Sequence, residues 1–333
     1  MLREIITPHN RPKVLTAQLT TTAGAGSAPI GNDDFSSVPA VAGQPAPVLR
    51  KPFARVPFMA ATAGAGVGAG GFAGIAAAQT SSALVPSFNN AAGTAVDATG
   101  DVVCLGFNSS VTTLCMNQRV ESTKVRSRVI FGKMGSTTAT VTIGASDFGI
   151  TRSSAGVYVV TFKKAFSRTP VVVCCGVAAL ASVKAPVISA KSATGVTVTC
   201  STEAGAATDS QFYIAVFGQD TRDEQGGRFR YLQNSQRKPR MLGARVLVAG
   251  PTVSVGSEDF TIVKNGPGDF TLTILRPFKR EPIVIGASRS NRFQCYSATA
   301  STISINTLAA GGGSADSTSF DIIVIGSDDP SEY

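Results

Sequence analysis

Phe166-Ser167-Arg168-Thr169-Pro170-Val171-Val172-Val173 returns downstream as Phe278-Lys279-Arg280-Glu281-Pro282-Ile283-Val284-Ile285. It also stands upstream, with more substitutions, as Phe53-Ala54-Arg55-Val56-Pro57-Phe58-Met59-Ala60. Arg55 and Arg168 lie 113 positions apart, and Arg168 and Arg280 lie 112 apart. One motif recurring at one period predicts tandem modules, three of them. Subtracting the connections leaves roughly 80–95 residues per module, a normal size for a small β-sandwich.

The residues around the motif fix what each module is made of. Tyr158, Val160 and Phe162 alternate on one face ahead of the second copy, and Phe270, Leu272 and Ile274 do so ahead of the third. Period two with a constant apolar face marks a half-buried strand. The first copy has Pro45, Pro47 and Leu49 there, and two prolines restrict that segment to an edge or distorted strand. Gly43, Gly156 and Gly268 each mark a turn before this strand. Each module closes on one element, seen as Val102–Gly106, Phe212–Gly218 and Phe320–Gly326. About seven short strands per module and no long amphipathic helical pattern predict an all-β chain of three tandem antiparallel β-sandwich modules, jelly-roll-like.

The expected organisation is an extended N-terminal arm (1–12), a degenerate Gly/Ala-rich first module (13–106), and a linker (107–127). A second module (128–218), an Arg-rich linker (219–244), a third module (245–326) and an acidic tail (327–333) follow. The uncharged tract from Phe58 to Ala78 approaches the length of a membrane span. The repeat instead aligns it with Val171–Lys191, which reads as two strands and a turn, so no membrane span is expected.

Composition narrows the function. Charged residues make up 15%, aromatics 7% and Trp is absent, while Gly alone counts 34 of 333 residues. That is too apolar for a disordered chain. The net charge of +9 admits polyanionic or acidic partners. Cys104, Cys115, Cys174, Cys175, Cys200 and Cys295 show neither CxxC nor zinc spacing. Those within apolar strand patterns read as buried free thiols. His9, the one histidine, sits in the arm between Pro8 and Pro12, which leaves a hydrolytic relay without a base. Gly66-Val67-Gly68-Ala69-Gly70-Gly71 matches GxGxxG, yet the expected acid about 20 residues on is missing. The carboxylate pair Glu258-Asp259 lacks an identifiable opposite acid, and Asn108-Ser109-Ser110 is only a formal glycosylation sequon. No catalytic, cofactor or metal site is expected, and the chain reads as non-enzymatic.

Two sets of polar residues remain. Asp34/Asp147/Asp259 and Arg55/Arg168/Arg280 recur in all three copies. They suit either three ligand sites for sugar hydroxyls or carboxylates, or a structural corner in which Asp caps a turn and Arg packs over Phe-x-Arg-x-Pro, able to pair with that Asp. The corner reading, with Phe53, Pro57, Phe166, Pro170, Phe278 and Pro282, is preferred. In the Arg-rich linker, Arg228, Arg230, Arg237, Lys238 and Arg240, with Phe229 and Tyr231, suit a subunit interface. Nucleic acid is not the expected partner.

The Gly-Val-Tyr-Val-Val-Thr-Phe strand leading into Phe-x-Arg-x-Pro-Val-Val-Val, together with the closing Phe-Asp-Ile-Ile-Val-Ile-Gly, resembles modules of tailed-bacteriophage virion proteins. These are of the fibre, tail and head-decoration type, and more loosely of the H-type lectin-like sandwich. Residues 143–218 and 255–326 carry the resemblance well and 30–106 weakly. It implies a virion structural protein built in the host cytoplasm, a capsid decoration, short-fibre or tail component. Its implied partners are other virion proteins and further copies of itself, as a trimer in many members. The alternative it implies is a receptor-binding adhesin that recognises a host surface glycan.

Overall fold

The computed structural model describes the chain from Pro12 to Ser327, apart from the connections 108–126 and 220–238 and short stretches inside the modules. The longest of those inner stretches are 178–184, 31–34, 68–71 and 76–79. Every named element is a strand. The first module holds β1 (Pro12–Thr22), β2 (Ala25–Ile30), β3 (Phe35–Ser37), β4 (Ala40–Val41), β5 (Gln44–Pro45) and β6 (Val48–Leu49). It continues with β7 (Phe58–Ala63), β8 (Phe72–Ile75), β9 (Pro86–Asn89) and β10 (Thr99–Phe107). The second has β11 (Ser127–Gly135), β12 (Thr140–Ile143), β13 (Phe148–Ser154), β14 (Val157–Phe162), β15 (Val171–Val177), β16 (Ala185–Lys191), β17 (Gly195–Ser201) and β18 (Gln211–Gln219). The third has β19 (Pro239–Leu247), β20 (Thr252–Val255), β21 (Phe260–Gly266), β22 (Asp269–Ile274), β23 (Ile283–Ser288), β24 (Arg292–Ala298), β25 (Thr302–Leu308) and β26 (Ser319–Ser327).

The second and third modules therefore carry eight strands each, one more than the turn count predicts. Strand β24 is the least legible in the third module, because Arg292 and Gln294 interrupt its apolar pattern. Strand β19 also begins at Pro239, six residues inside the segment expected to be linker.

In each module the first and last strands pair, β11 on β18 and β19 on β26 along their whole length and β1 on β10 from Pro12 to Thr20. The corner strand then adds to the closing strand, which gives the orders β2-β1-β10-β7, β12-β11-β18-β15 and β20-β19-β26-β23. The second layer is β13-β14-β17-β16 in the middle module and β21-β22-β25-β24 in the last. Tyr158, Val160 and Phe162 from the second layer meet Val172, Cys174, Ile214 and Val216 from the first in one buried cluster. In the first module the corresponding layer is broken into the pairs β3-β6, β4-β5 and β8-β9. Prolines 45 and 47 are the reason, since neither can donate to a ladder. The Gly/Ala tract folds as β7, buried along its whole length, and β8. No helix among the described residues is long and apolar enough to cross a membrane.

The recurring corner locks onto the end of the closing strand. Phe53, Phe166 and Phe278 are buried, and so are Pro57, Pro170 and Pro282. A Cβ placed on Gly218 would fall 2.5 Å from the Phe166 ring, and one on Gly326 would fall 2.7 Å from Phe278. Glycine closes these strands because the corner ring occupies the space of a side chain. Gly218→Ala or Gly326→Ala is expected to lower stability by about 1–3 kcal/mol in urea unfolding. Gly149→Ala, whose new methyl would meet nothing nearer than 3.9 Å, should not destabilise the protein. Equal losses at all three glycines would refute the corner-packing explanation.

Candidate functional site

The three modules close into a ring through equivalent strands. Registers put Gly106, Gly218 and Gly326 at one structural position, opposite Lys13, Arg128 and Arg240. Counting back five residues makes Asp101, Tyr213 and Asp321 equivalent, and the corner prolines make Met59, Val172 and Val284 equivalent. The carboxylate of Asp101 accepts from Val172 N of the second module at 2.7 Å. Asp321 of the third module accepts from Met59 N of the first at 3.1 Å. Tyr213 of the second module donates to Glu281 of the third at 2.7 Å. One contact runs from module one to two, one from two to three, and one from three to one. The same strands are used each time, so the arrangement has pseudo-threefold symmetry.

Sheet edges follow the same rotation. Val177 of β15 pairs in parallel with Cys295 of β24, which fuses two sheets into one of eight strands. Ile75 of β8 and Arg289 after β23, the equivalent positions, form a parallel bridge between modules one and three. Strand β7 packs on β16 in the remaining joint, and β7, β15 and β23 touch one another around the centre.

Alternation within the strands explains why their apolar runs are continuous. Phe58, Ala60, Val103 and Leu105 face the centre, as do Val171, Val173, Ala215 and Phe217, and Ile283, Ile285, Ile323 and Ile325. Their neighbours in sequence fill each module's own core. Strands buried on both faces have no polar face to show.

The edge of β15 that faces the ring has amides with no ladder partner, and side chains of the first module supply one. Besides Val172 N, the Cys174 N–H donates to Thr62 Oγ1 at 2.6 Å, and that hydroxyl donates to Cys174 O at 3.2 Å. The acids that reach these edges carry different cations at the three joints. Both oxygens of Asp101 are held by Lys191 of the second module. Asp321 takes a bidentate pair from Arg245, at 2.7 and 2.6 Å, while Arg245 also donates to Pro57 O of the first module at 3.0 Å. Glu281 accepts from Lys133 at 2.6 Å. Burial holds the carboxyls of Asp101 and Asp321 above the usual carboxylate value, with Lys191 and Arg245 opposing it. It pulls Lys191 down, against the attraction of Asp101. The Tyr213 phenol is raised by burial and, to a lesser degree, by Glu281.

A second kind of lock sits at the turns opened by Gly156 and Gly268, where φ is +68° and +65°. Asp209 accepts the Gly156 N–H at 2.9 Å, both arms of Arg152 at 2.9 Å and the Tyr158 hydroxyl at 3.1 Å. Asp316 does the same for Gly268 N–H at 2.8 Å and for Lys264 at 2.6 Å. Arg152 chiefly, with the Gly156 amide, holds the Asp209 carboxyl well below its ordinary 3.8.

The expected site residues are placed as follows. Arg168 and Arg280 are exposed. The arginine stacked on each corner ring is Arg128, 3.8 Å from the Phe166 centroid, or Arg240, 4.0 Å from Phe278. Arg240 is therefore a strand residue that braces its own module, not part of a linker. Asp147 and Asp259 lie in the turns before β13 and β21, and their backbone carbonyls accept from Lys163 N and Leu275 N. Cys104, Cys174, Cys175, Cys200 and Cys295 are buried free thiols, as expected, and burial pushes Cys175 up to about 12. His9, Asp34, Arg55, Cys115, Asn108, Glu258, Arg228, Arg230, Arg237, Lys238 and the acidic tail lie outside the described residues. Among the described residues no group of three or more His, Cys, Asp or Glu could hold a metal ion. Comparison with protein-family models, with curated proteins and with solved structures gives no match.

Sequence reasoning missed the acids and bases of the joints because they differ at equivalent positions. Asp101→Asn keeps an acceptor for Val172 N but strands the buried Lys191 ammonium, and should lose about 3 kcal/mol in urea unfolding. Adding Lys191→Met should restore stability to within about 1 kcal/mol of wild type. A double variant as unstable as the single one would show that the charge pair itself holds the joint.

The Asp209 lock has a defined pH signature. Its folded-state value is depressed, so its stabilisation is full above 3.8 and disappears as pH falls through the folded value. The stability gap between wild type and Asp209→Asn should thus be constant near neutrality and shrink on acidification. A gap unchanged at acid pH would overturn the ionic account of this turn.

Proposed function

We propose that the chain is a non-enzymatic structural component of a tailed-phage virion, a capsid decoration, short-fibre or tail component that works through contacts with other virion proteins. The observation that carries this reading is the closed pseudo-threefold ring. The modules it resembles act in many cases as trimers, and here one chain folds three copies of its module about one axis. Buried polar groups at one equivalent position of each module, Asp101, Tyr213 and Asp321, are committed to holding the next module. The best-formed chemistry in the molecule therefore serves rigidity. A ring with an apolar centre and paired edges suits a part whose task is to keep its shape within a particle.

Quantitative mass spectrometry of density-purified particles from cells carrying the gene tests this directly. The chain should appear in a fixed ratio to the major shell or tail protein and resist removal by high salt. Its absence from particles would sink the reading. Saturable binding of the full chain to a host-type glycan, with no fixed ratio in particles, would favour the adhesin alternative.

A further inference from the structure

The outer face of the third module carries polar side chains that its strands do not require. The carbonyls of Gly156 and Gly268 accept from Cys200 N and Thr307 N, which sets the second and third modules in register. Counting from those bonds, Asp269, Thr271 and Asn306 stand where the second module has Val157, Val159 and Thr199. The residues at the strand bulges, Asn265 and Tyr296, stand where it has Ser153 and Ser189. The strand orders β13-β14-β17-β16 and β21-β22-β25-β24 are the same, so valine and serine suffice for the fold.

These side chains are joined to one another. Tyr296 lies on β24 and Asp269 on β22, with β25 between them. The Tyr296 hydroxyl nevertheless donates to Asp269 Oδ1 at 2.9 Å, so the phenol crosses β25 along the surface of the sheet. Asn265 Nδ2 donates to Thr271 Oγ1 at 2.9 Å and to Asp269 Oδ1 at 3.4 Å. Tyr296 and Asp269 are half-buried and Asn265 is exposed. The donors are thereby turned inward on their own neighbours. Asp269 Oδ2, Asn265 Oδ1 and the face of the Tyr296 ring remain, which are two acceptors, a negative charge and an electron-rich surface. No lysine or arginine among the described residues pairs with Asp269.

We propose that Asp269, Asn265 and Tyr296 form a binding site for the guanidinium group of an arginine presented by another protein. A guanidinium is planar, offers donors only, forks onto paired oxygens and stacks on aromatic faces. The molecule already makes such pairings with its own arginines. Asp209 takes both arms of Arg152 while accepting the Tyr158 hydroxyl, and Arg128 and Arg240 lie on phenylalanine rings. On the outer face of the third module the tyrosine and the carboxylate stand without the arginine. Sugar hydroxyls both donate and accept, whereas this site offers chiefly acceptors. The inference goes beyond the virion reading, because the chemistry of this face alone carries it, and it can fail while that reading stands.

The test is a chemical-shift titration of the full chain with a short glycine peptide bearing one central arginine, at about 50 mM salt. The same peptide with lysine or citrulline in the centre is titrated beside it. The arginine peptide should saturate with a Kd on the order of 1 mM and move the side-chain amide signals of Asn265. Asp269→Asn should weaken binding about tenfold, and Tyr296→Leu should do the same. Asp147→Asn removes an equal charge from an exposed turn of the second module and should stay within about twofold of wild type. Equal losses in Asp269→Asn and Asp147→Asn would reduce the effect to net charge and overturn the proposal. A lysine or citrulline peptide that binds as tightly as the arginine peptide, or no saturable shift at Asn265, would overturn it as well. Unfolding midpoints confirm that the variants fold. Asp269→Asn keeps an acceptor for the Tyr296 hydroxyl and decides the question alone should Tyr296→Leu not fold.

Discussion

An unpaired strand edge is the constraint on which this molecule depends. Each module adds its corner strand, β7, β15 or β23, to the outside of its first sheet, leaving amides that face the centre of the molecule. Buried donors without partners are costly, and exposed edges invite stray pairing. The neighbouring module answers with a carboxylate at the start of its closing strand, Asp101 for Val172 and Asp321 for Met59. A carboxylate taken out of water needs a cation, and Lys191 and Arg245 provide it. The order of causes is thus edge, acid, base, with the apolar centre of the ring making each step necessary by excluding water.

The third joint shows that the requirement is chemical and not tied to one residue. Tyr213 stands where the other modules have Asp, and a neutral phenol has no negative charge to pair with a lysine ammonium. The acid moves to Glu281 on the facing corner, Lys133 becomes its cation, and the phenol links the two sides. Each joint ends with one carboxylate, one cation and hydrogen bonds across the seam. Buried ion pairs are weak sources of net stability but poor tolerators of a wrong partner. Three differently built pairs therefore favour one order of modules around the ring.

This division also explains what could be read in the sequence. Residues that repeat hold each module together: the corner phenylalanines and prolines, the closing glycines, and the turn glycines 156 and 268. Comparing the copies exposes them, and with them the all-β class. The broken layer of the first module was legible in Pro45 and Pro47, and the buried thiols in the apolar runs around them. Residues that hold modules to one another differ between copies, so comparison conceals them. A sign of the ring was nevertheless present, because Val171–Cys175 and Phe320–Ile325 lack the alternation of a strand with one wet face. The arginine stacked on the corner ring was concealed for another reason. Arg168 and Arg280 lie inside the motif, but the guanidinium on the ring comes from Arg128 or Arg240, which register alone brings close.

The two connections between modules, 108–126 and 220–238, are each nineteen residues long although their sequences are unrelated. Equal lengths fit equal rotations, since both link the end of one closing strand to the start of the next first strand. The third rotation, from β26 back to β1, is spanned by neither of them. There the tethers act at a distance: by confining the outer modules near each other they raise the local concentration of one for the other, and association becomes an intramolecular step. The joint in which Asp321 accepts from Met59 N thus closes as a contact within one chain.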